Sequence, residues 1–496
     1  MEKEQAAHLD NMVDVMTEKE LEYSEDTTVT VSARGFNAVV EKSNAEKRLV
    51  RKIDRTIFPL MCTIGFLQFM DKSALTYGAV LGMLTDVNLQ GSQYSLLTTV
   101  FYIGYLCMQL PNSYLVQRFP IAKYLGVNIC IWGMILACIG ISQNFSQMAG
   151  LRFILGFFEG VVYPGFQLLT NTFYRKQEIQ ARNSSWIVMN GLAQALGGLI
   201  GYGIGHMEMV LNYHAWQWIM FIFGSATALF GIIVFVFLID DPRSPRFNLT
   251  EEEKLIVEDR LRDNGVKRHQ EWEADQFWEA IRDPKTYAFF LCAFLNSISS
   301  GGLNPFSTLI VQGLGFSGLN SILLNIPAGV VNASLILLAV LIHLKTNDIL
   351  LVAIGMEALA TLGLILLVAT TSVGPRLFGY YIGYGYVATF VLMMTCLSSN
   401  TYGYTKKLFT QGIFFIGYTA GNAVGPLLMT GNQAPTYIPG MIGCIAANVL
   451  LIAVLFSLRQ WMAHLNRKKA GNHNGTFIDP GEDITDLQYD KMIYKL

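Results

Sequence analysis

Between Thr286 and Leu344 there is not one Asp, Glu, Lys or Arg, and the same holds from Leu408 to Leu458. Each stretch is long enough for two apolar helices of about 20 residues with a turn between them, the length that crosses the hydrocarbon of a bilayer. Composition agrees: 52% of the chain is hydrophobic and 15% charged, where a soluble chain carries about 25% charged residues. The net charge of −2 averages over two environments and says little about partners.

Residues 1–52 are polar and rich in Glu, Asp, Thr and Ser, the composition of a disordered tail, with no cleavable signal peptide. Apolar segments follow at 57–81, 94–116, 123–142, 148–172, 185–206 and 216–239. After a charged stretch, six more follow at 286–311, 319–343, 348–370, 375–397, 406–430 and 437–459. The expected organisation is a tail (1–52), a six-helix half (53–239), a soluble linker (240–284), a second six-helix half (285–460) and a polar tail (461–496). Within the linker, Thr250 followed by three glutamates reads as an N-cap with acids in the first turn. With the N-terminus inside, the inner loops carry Arg118, Lys123, Arg175, Lys176, Arg182, Lys345, Lys406 and Lys407, and the outer loops only Arg376. That bias places both termini in the cytosol.

Charge inside the apolar segments is costly, on the order of 2.5–3.5 kcal/mol per residue. Asp71 and Lys72 nevertheless sit side by side in the first span, and Arg152 and Glu159 lie seven residues apart in the fourth. Seven residues is close to two turns, so the latter two share a face. At 1.5 Å per residue, Asp71 is about 21 Å from the inner end of its span and Glu159 about 15 Å from the outer end of its own. Those depths suit one shared cavity. Lys72 and Arg152 are candidate ligands for a substrate carboxylate, and Asp71 and Glu159 candidate proton carriers, because burial favours the neutral acid. The rival reading is that the four neutralise one another as fixed ion pairs.

The remaining signals are weaker. Glu357 in the ninth span reads as a structural contact or a polar pair at the lipid edge. Asn190 and Gln194 in the fifth span, Asn296 and Asn304 in the seventh, Tyr384 in the tenth and Asn422 in the eleventh form an uncharged hydrogen-bonding set. Gly301-Gly302 and Pro305 suggest a break in the seventh span. The glycines from Gly197 to Gly205 indicate close helix packing, not phosphate binding. All seven cysteines fall in apolar segments and read as small packing residues, with no disulfide expected. No Walker sequence, zinc-type spacing or nucleophile elbow appears, so an enzyme, a metal site and a cofactor are not expected.

Several motifs carry a resemblance. They are Phe-Met-Asp-Lys-Ser-Ala-Leu (69–75), Thr-Val-Phe-Tyr-Ile-Gly-Tyr (99–105), Arg-Phe-Ile-Leu-Gly-Phe-Phe-Glu-Gly (152–160), Gly-Tyr-Thr-Lys-Lys (403–407) and Gly-Asn-Ala-Val-Gly-Pro (421–426). From about Lys52 to Leu458 the chain resembles the fungal allantoate permease group within the anion:cation symporters of the major facilitator superfamily. Asp-Ile-Thr-Asp (483–486) and Tyr494 look like that family's C-terminal signature. The resemblance implies an all-α membrane protein of 12 transmembrane helices in two halves. It places coupling and carboxylate recognition on Asp71, Lys72, Arg152 and Glu159. Three positions depart from the pattern. Lys72 stands where the wider group has Arg, so a planar bidentate fork is absent. The acidic-Gly-Arg loop after the second span is reduced to Gln117-Arg118-Phe119-Pro120, and the C-terminal signature has Gln488-Tyr489 and Ile493.

The combined reading is a proton-coupled symporter importing a small organic anion at a fungal plasma membrane. Its substrate class is a carboxylate such as allantoate, ureidosuccinate, an amino acid or dipeptide, or a carboxylate vitamin. The expected partners are that anion, protons and the bilayer; the protein is expected to be a monomer and to bind no nucleic acid. The alternatives are a proton antiporter exporting a secondary metabolite and a non-transporting nutrient sensor. The loop charges generate a direct test. Single cysteines placed at Met1, in the 240–284 linker and at Leu496 should all escape an impermeant thiol reagent applied outside the cell; labelling of the linker would reverse the orientation.

Overall fold

The computed structural model describes residues 43–207, 209–263, 273–470, 485–488 and 493–496. Residues 44–52, given to the tail on composition, lie in a helix, α1 (Asn44–Thr56), whose entry is capped by Ser43 Oγ accepting from Glu46 N at 3.1 Å. Residues 1–42 lie outside the described residues.

Twelve helical spans follow. The first is α2 (Phe58–Gly78), continued by a π turn at Ala79–Met83. Gly82 takes φ of 103° there, a left-handed conformation that glycine adopts without steric cost. Next come α3 (Gln93–Arg118) and α4 (Ile121–Ile139), then a fourth span in two pieces, α5 (Phe145–Glu159) and α6 (Val162–Phe173). The half closes with α7 (Lys176–Gly205) and α8 (Ala215–Phe237). The linker holds α9 (Glu251–Asp263) and α10 (Ala274–Arg282). Thr250 does cap α9: its Oγ accepts from Glu253 N, and Glu253 Oε2 accepts in return from Thr250 N, a capping box.

The second half comprises α11 (Pro284–Gly313), a broken eighth span α12 (Gly318–Leu323) and α13 (Asn325–Thr346), and α14 (Ile349–Ala369). The tenth span is α15 (Val373–Ile382) and α16 (Gly385–Asn400); α17 (Tyr404–Leu428) and α18 (Ile438–Ala470) complete the set. The last helix runs ten residues past 460, where the tail was expected to begin. Nine spans are long and apolar enough to cross a membrane on their own composition; the other three begin with α2, α3 and α17. Two of those, α2 and α3, are lined up on the interior site described below.

Large apolar side chains face outward, among them Leu229, Leu341 and Phe456, each more than half exposed. In water such a surface would aggregate; against lipid it is the favoured one. Helix contacts inside the bundle rest on small residues. A Cβ on Gly417, Gly421 or Gly425 of α17 would meet the carbonyl oxygens of Phe290, Phe294 or Ile298 of α11 at 2.5, 2.2 and 2.4 Å. The expected break in the seventh span is absent: α11 runs through Gly301, Gly302 and Pro305. Those glycines are contact surfaces, Gly301 against the backbone of Asn422. The run from Gly197 to Gly205 also packs closely, with Gly201 against Tyr77 and Gly205 against Leu319.

The ends of the second half on the linker side are tied by residues 485–488 and 493–496. Asp486 is fully buried and pairs with Lys285 and, at 2.9 Å, with Lys406. Lys406 also reaches Glu279 and Asp283, each at 2.8 Å. Tyr494 O–H donates to Asp486 Oδ2 (3.1 Å), Tyr494 and Asn466 exchange backbone–amide bonds of 2.8 Å, and Lys495 N donates to Asn400 Oδ1 (2.7 Å). Burial pushes the Asp486 carboxyl up, but Lys285 and Lys406 more than offset this and hold it below its ordinary value. A depressed carboxylate contributes stability that is complete above its unfolded value, about pH 3.9. That stability is lost as pH falls through the lower folded value. Docking of 485–488 and 493–496 should therefore survive at pH 4 and above, as read by limited proteolysis. Asp486→Ala, which leaves two buried lysines short of a partner, should cost about 3–5 kcal/mol and release the segment at every pH.

Candidate functional site

Consecutive residues of a helix point about 100° apart, and in α2 this separates Asp71 from Lys72. Asp71, fully buried, turns to the third and sixth spans. Trp132 Nε1 donates to its Oδ2 at 2.7 Å, and Thr227 Oγ donates to the same oxygen at 2.9 Å. Lys72 turns the other way, to the fourth span. Its Nζ is 3.0 Å from Glu159 Oε1, which also accepts from Gln68 Nε2 at 3.0 Å. The rings of Phe101, Tyr105 and Tyr163 surround Lys72 at 5.9 to 6.0 Å, the range of cation–π attraction. Neither pairing expected from proximity in sequence is the one formed: the ion pair joins Lys72 to Glu159 across two helices. Glu159 Oε2 has no hydrogen-bond partner among the described residues.

Arg152 is 3% exposed, and two of its guanidinium nitrogens, Nε and Nη2, have no hydrogen-bond partner among the described residues. An unpartnered buried cation is among the costliest groups a protein can hold. It faces a cavity of about 50 Å³ that also exposes Lys72, Thr76, Tyr102, Gln194, Asn304, Asn325 and Tyr384. A second cavity of about 60 Å³ shares Phe69, Lys72, Tyr102 and Asn304 with the first and adds Gln68, Tyr163, Asn190, Asn296, Tyr386 and Tyr418. Lys72 stands between the two.

Of the residues singled out in the sequence, Lys72, Arg152, Asn190, Gln194, Asn296, Asn304 and Tyr384 line these cavities. Asp71, Glu159 and Asn422 do not. Glu159 stands behind Lys72. Asn422 is turned into the contact with α11, its Nδ2 bonded to Tyr418 O at 2.9 Å. The sequence reading missed Gln68, Tyr102, Tyr163 and Asn325, and the anchors Trp132 and Thr227. Asn325 had a legible signal, a lone amide in an apolar run; its Oδ1 accepts from Tyr380 O–H at 2.7 Å. On the side away from the linker the halves are closed over the cavities. Tyr94 O–H donates to Pro305 O (2.6 Å), Thr308 to Thr76 O (2.7 Å) and Gly431 N to Gly91 O (3.1 Å).

The profile of the Major Facilitator Superfamily matches residues 61–426. The chain belongs to that superfamily. Facilitator relatives span nearly its full length. An uncharacterized transporter of Schizosaccharomyces pombe is 34% identical over 89% of this chain and 88% of its own. The allantoate permease of Saccharomyces cerevisiae is 34% identical over 92% and 88%. A thiamine pathway transporter of S. cerevisiae is 28% identical over 89% and 85%. Among solved structures, a bacterial homolog of the human lysosomal transporter Spinster, in an inward-facing conformation, superposes with a TM-score of 0.59. It covers 84% of this chain and 97% of its own at 16% identity, a likeness of fold. The protein is thus a multi-pass, allantoate-permease-like facilitator, a transport protein and not an enzyme.

The position of Asp71 behind the cavity wall generates a test. Trp132→Phe removes one donor to a buried carboxylate and should cost about 1–3 kcal/mol of stability. It should leave substrate affinity within twofold, because Trp132 touches neither cavity. Thermal unfolding and binding measured on the same detergent-solubilised sample separate the two effects; a large loss of affinity at unchanged stability would return Asp71 to the binding site.

Proposed function

We propose that this facilitator is a proton-coupled symporter for a small organic anion, and that Arg152 and Lys72 hold the anion's carboxylate. The single observation that carries the reading is the buried Arg152 guanidinium with two nitrogens that lack a partner among the described residues. A carboxylate entering the cavity would satisfy both. Around it the walls offer amides, Gln194, Asn304 and Asn325, and the Tyr102 and Tyr384 rings. Amides both donate and accept, so the favoured substrate is a carboxylate that also bears amide or ureido groups. The name of the yeast relative, an allantoate permease, supports the same class. The loop charges support a cytosolic linker side; the reading takes the membrane to be the plasma membrane and the protein to act as a monomer.

Coupling follows from the shared lysine. In this conformation Glu159 holds Lys72, and a substrate carboxylate must compete for the same ammonium. A proton on Glu159 cancels its charge and releases Lys72 to the substrate. Proton and anion then bind with positive linkage, and each raises the affinity for the other. The partner released on protonation is Lys72, not Arg152 as the seven-residue spacing alone suggested. Asp71, turned from the cavity, ties the first span to the third and sixth.

Glu159→Gln fixes the neutral state. In proteoliposomes it should bind substrate and perform counterflow at near wild-type rates, yet fail to accumulate substrate under an inward proton gradient. Normal accumulation by this variant would remove Glu159 from coupling. Lys72→Gln should weaken binding at least tenfold while the protein stays monodisperse.

A further inference from the structure

The described residues place a further fully buried acid, Glu357, in the half that carries no cavity cation. It lies nine residues into α14, about 12 Å from that helix's linker end at 1.5 Å per residue, and is 0% exposed. Its surroundings use the same three spans as those around Asp71, with the acid moved. Asp71 sits on the first span and is held by the third and sixth. Glu357 sits on the ninth, the counterpart of the third, and is held by the seventh and twelfth, the counterparts of the first and sixth. Asn296 Nδ2 on α11 reaches Glu357 Oε2 at 3.4 Å and Tyr386 O at 3.0 Å. The Asn448 amide on α18 stands 3.1 Å from Glu357 Oε1 and 2.5 Å from Ser299 Oγ. The Thr389 hydroxyl on α16 faces the carboxyl as well.

The groups that hold Glu357 are all neutral. Asn296, Thr389 and Asn448 can each donate to the carboxyl; the Asn448 nitrogen is turned inward, where it faces acceptors alone, Glu357 Oε1, Ser299 Oγ and, at 3.2 Å, Cys444 O. A carboxyl held by neutral groups has no fixed counter-charge, so taking up a proton breaks no ion pair. Asn296 joins it to the transport path, because its side chain also lines the second cavity. Among the described residues no cation faces the carboxyl. The Cys292 thiol of α11 interacts with it electrostatically. Cys396 of α16 and Cys444 of α18 are buried on the neighbouring helices. The charged groups of those elements sit at their ends: the Asp348–Arg459 pair, Lys285, His343, Lys345 and the basic end of α18 from His464 to Lys469 on the linker side, and Arg376 on the other.

We propose that Glu357 is a further proton-binding site, in the cation-free half, that exchanges its proton with water of the second cavity beside Asn296 during the transport cycle. The proposal rests on the reading of the protein as a proton symporter, and the test keeps the two apart. The proton-to-substrate ratio is measured from reversal potentials in proteoliposomes for the wild type and Glu357→Gln. Gln keeps the shape and the hydrogen bonds. The expected result is a coupled wild type and a variant that moves one proton fewer per substrate. Infrared difference spectra on substrate addition should also lose a protonated-carboxyl band in the variant. A wild type with no proton coupling would overturn the symport reading itself. A coupled wild type with an unchanged ratio and an unchanged spectrum in Glu357→Gln would overturn only the further site. Should Glu357→Gln not fold, Asn448→Leu keeps the carboxyl but removes a donor to it. It should shift the pH of half-maximal uptake upward, and an unshifted profile overturns the proposal.

Discussion

A charge held in hydrocarbon must find a partner, and in this protein the partner of the central cation is itself a titratable group. The contact between Lys72 and Glu159 sets the terms for everything near it. It keeps the lysine between two cavities, gives Gln68 its orientation, and leaves the Arg152 guanidinium facing the first cavity with donors to spare. The ion pair spans two helices and ties the first span to the fourth.

The scaffold around that contact is built from absence of bulk. Glycines at 417, 421 and 425 let α17 lie against the carbonyls of α11, and similar crossings seat α3 against α5, where a Cβ on Gly104 or Gly156 would strike Phe153 O or Phe101 O. Without a hydrophobic force between helices in lipid, close backbone approach and interhelical hydrogen bonds supply the attraction. The polar residues of the cavity sit on helices that these crossings hold rigid. The buried lysine–carboxylate cluster of Lys285, Lys406 and Asp486 fixes their ends on the linker side.

Much of the fold was legible in the sequence because hydrocarbon imposes length and excludes charge, and both are visible one residue at a time. The cations of the site were legible for the same reason: Lys72 and Arg152 are too costly in a span to be there without use. Their partners were not. Proximity along the chain suggested Asp71 with Lys72 and Arg152 with Glu159, whereas helix rotation sends Asp71 to Trp132 and Thr227 and brings Lys72 to Glu159. Nothing in the local sequence marks Trp132 as a hydrogen-bond donor to a residue 61 positions away. Asn422 failed as a cavity residue because a glycine on the neighbouring helix, Gly301, invites its backbone inward. Pro305 and its glycines looked like a hinge, but the packing they allow holds α11 continuous.

One crossing has a mechanical meaning of its own. Where α7 of the first half meets α13 of the second, Gly191 and Gly329 face each other so closely that a Cβ on either would fall 2.7 or 2.4 Å from the other's carbonyl oxygen. Two smooth backbones touch there, with no side chains meshed like gear teeth. A contact of that kind resists separation but offers little opposition to tilting. It behaves as a plain bearing, on which two rigid halves can rock past one another without first having to unpack.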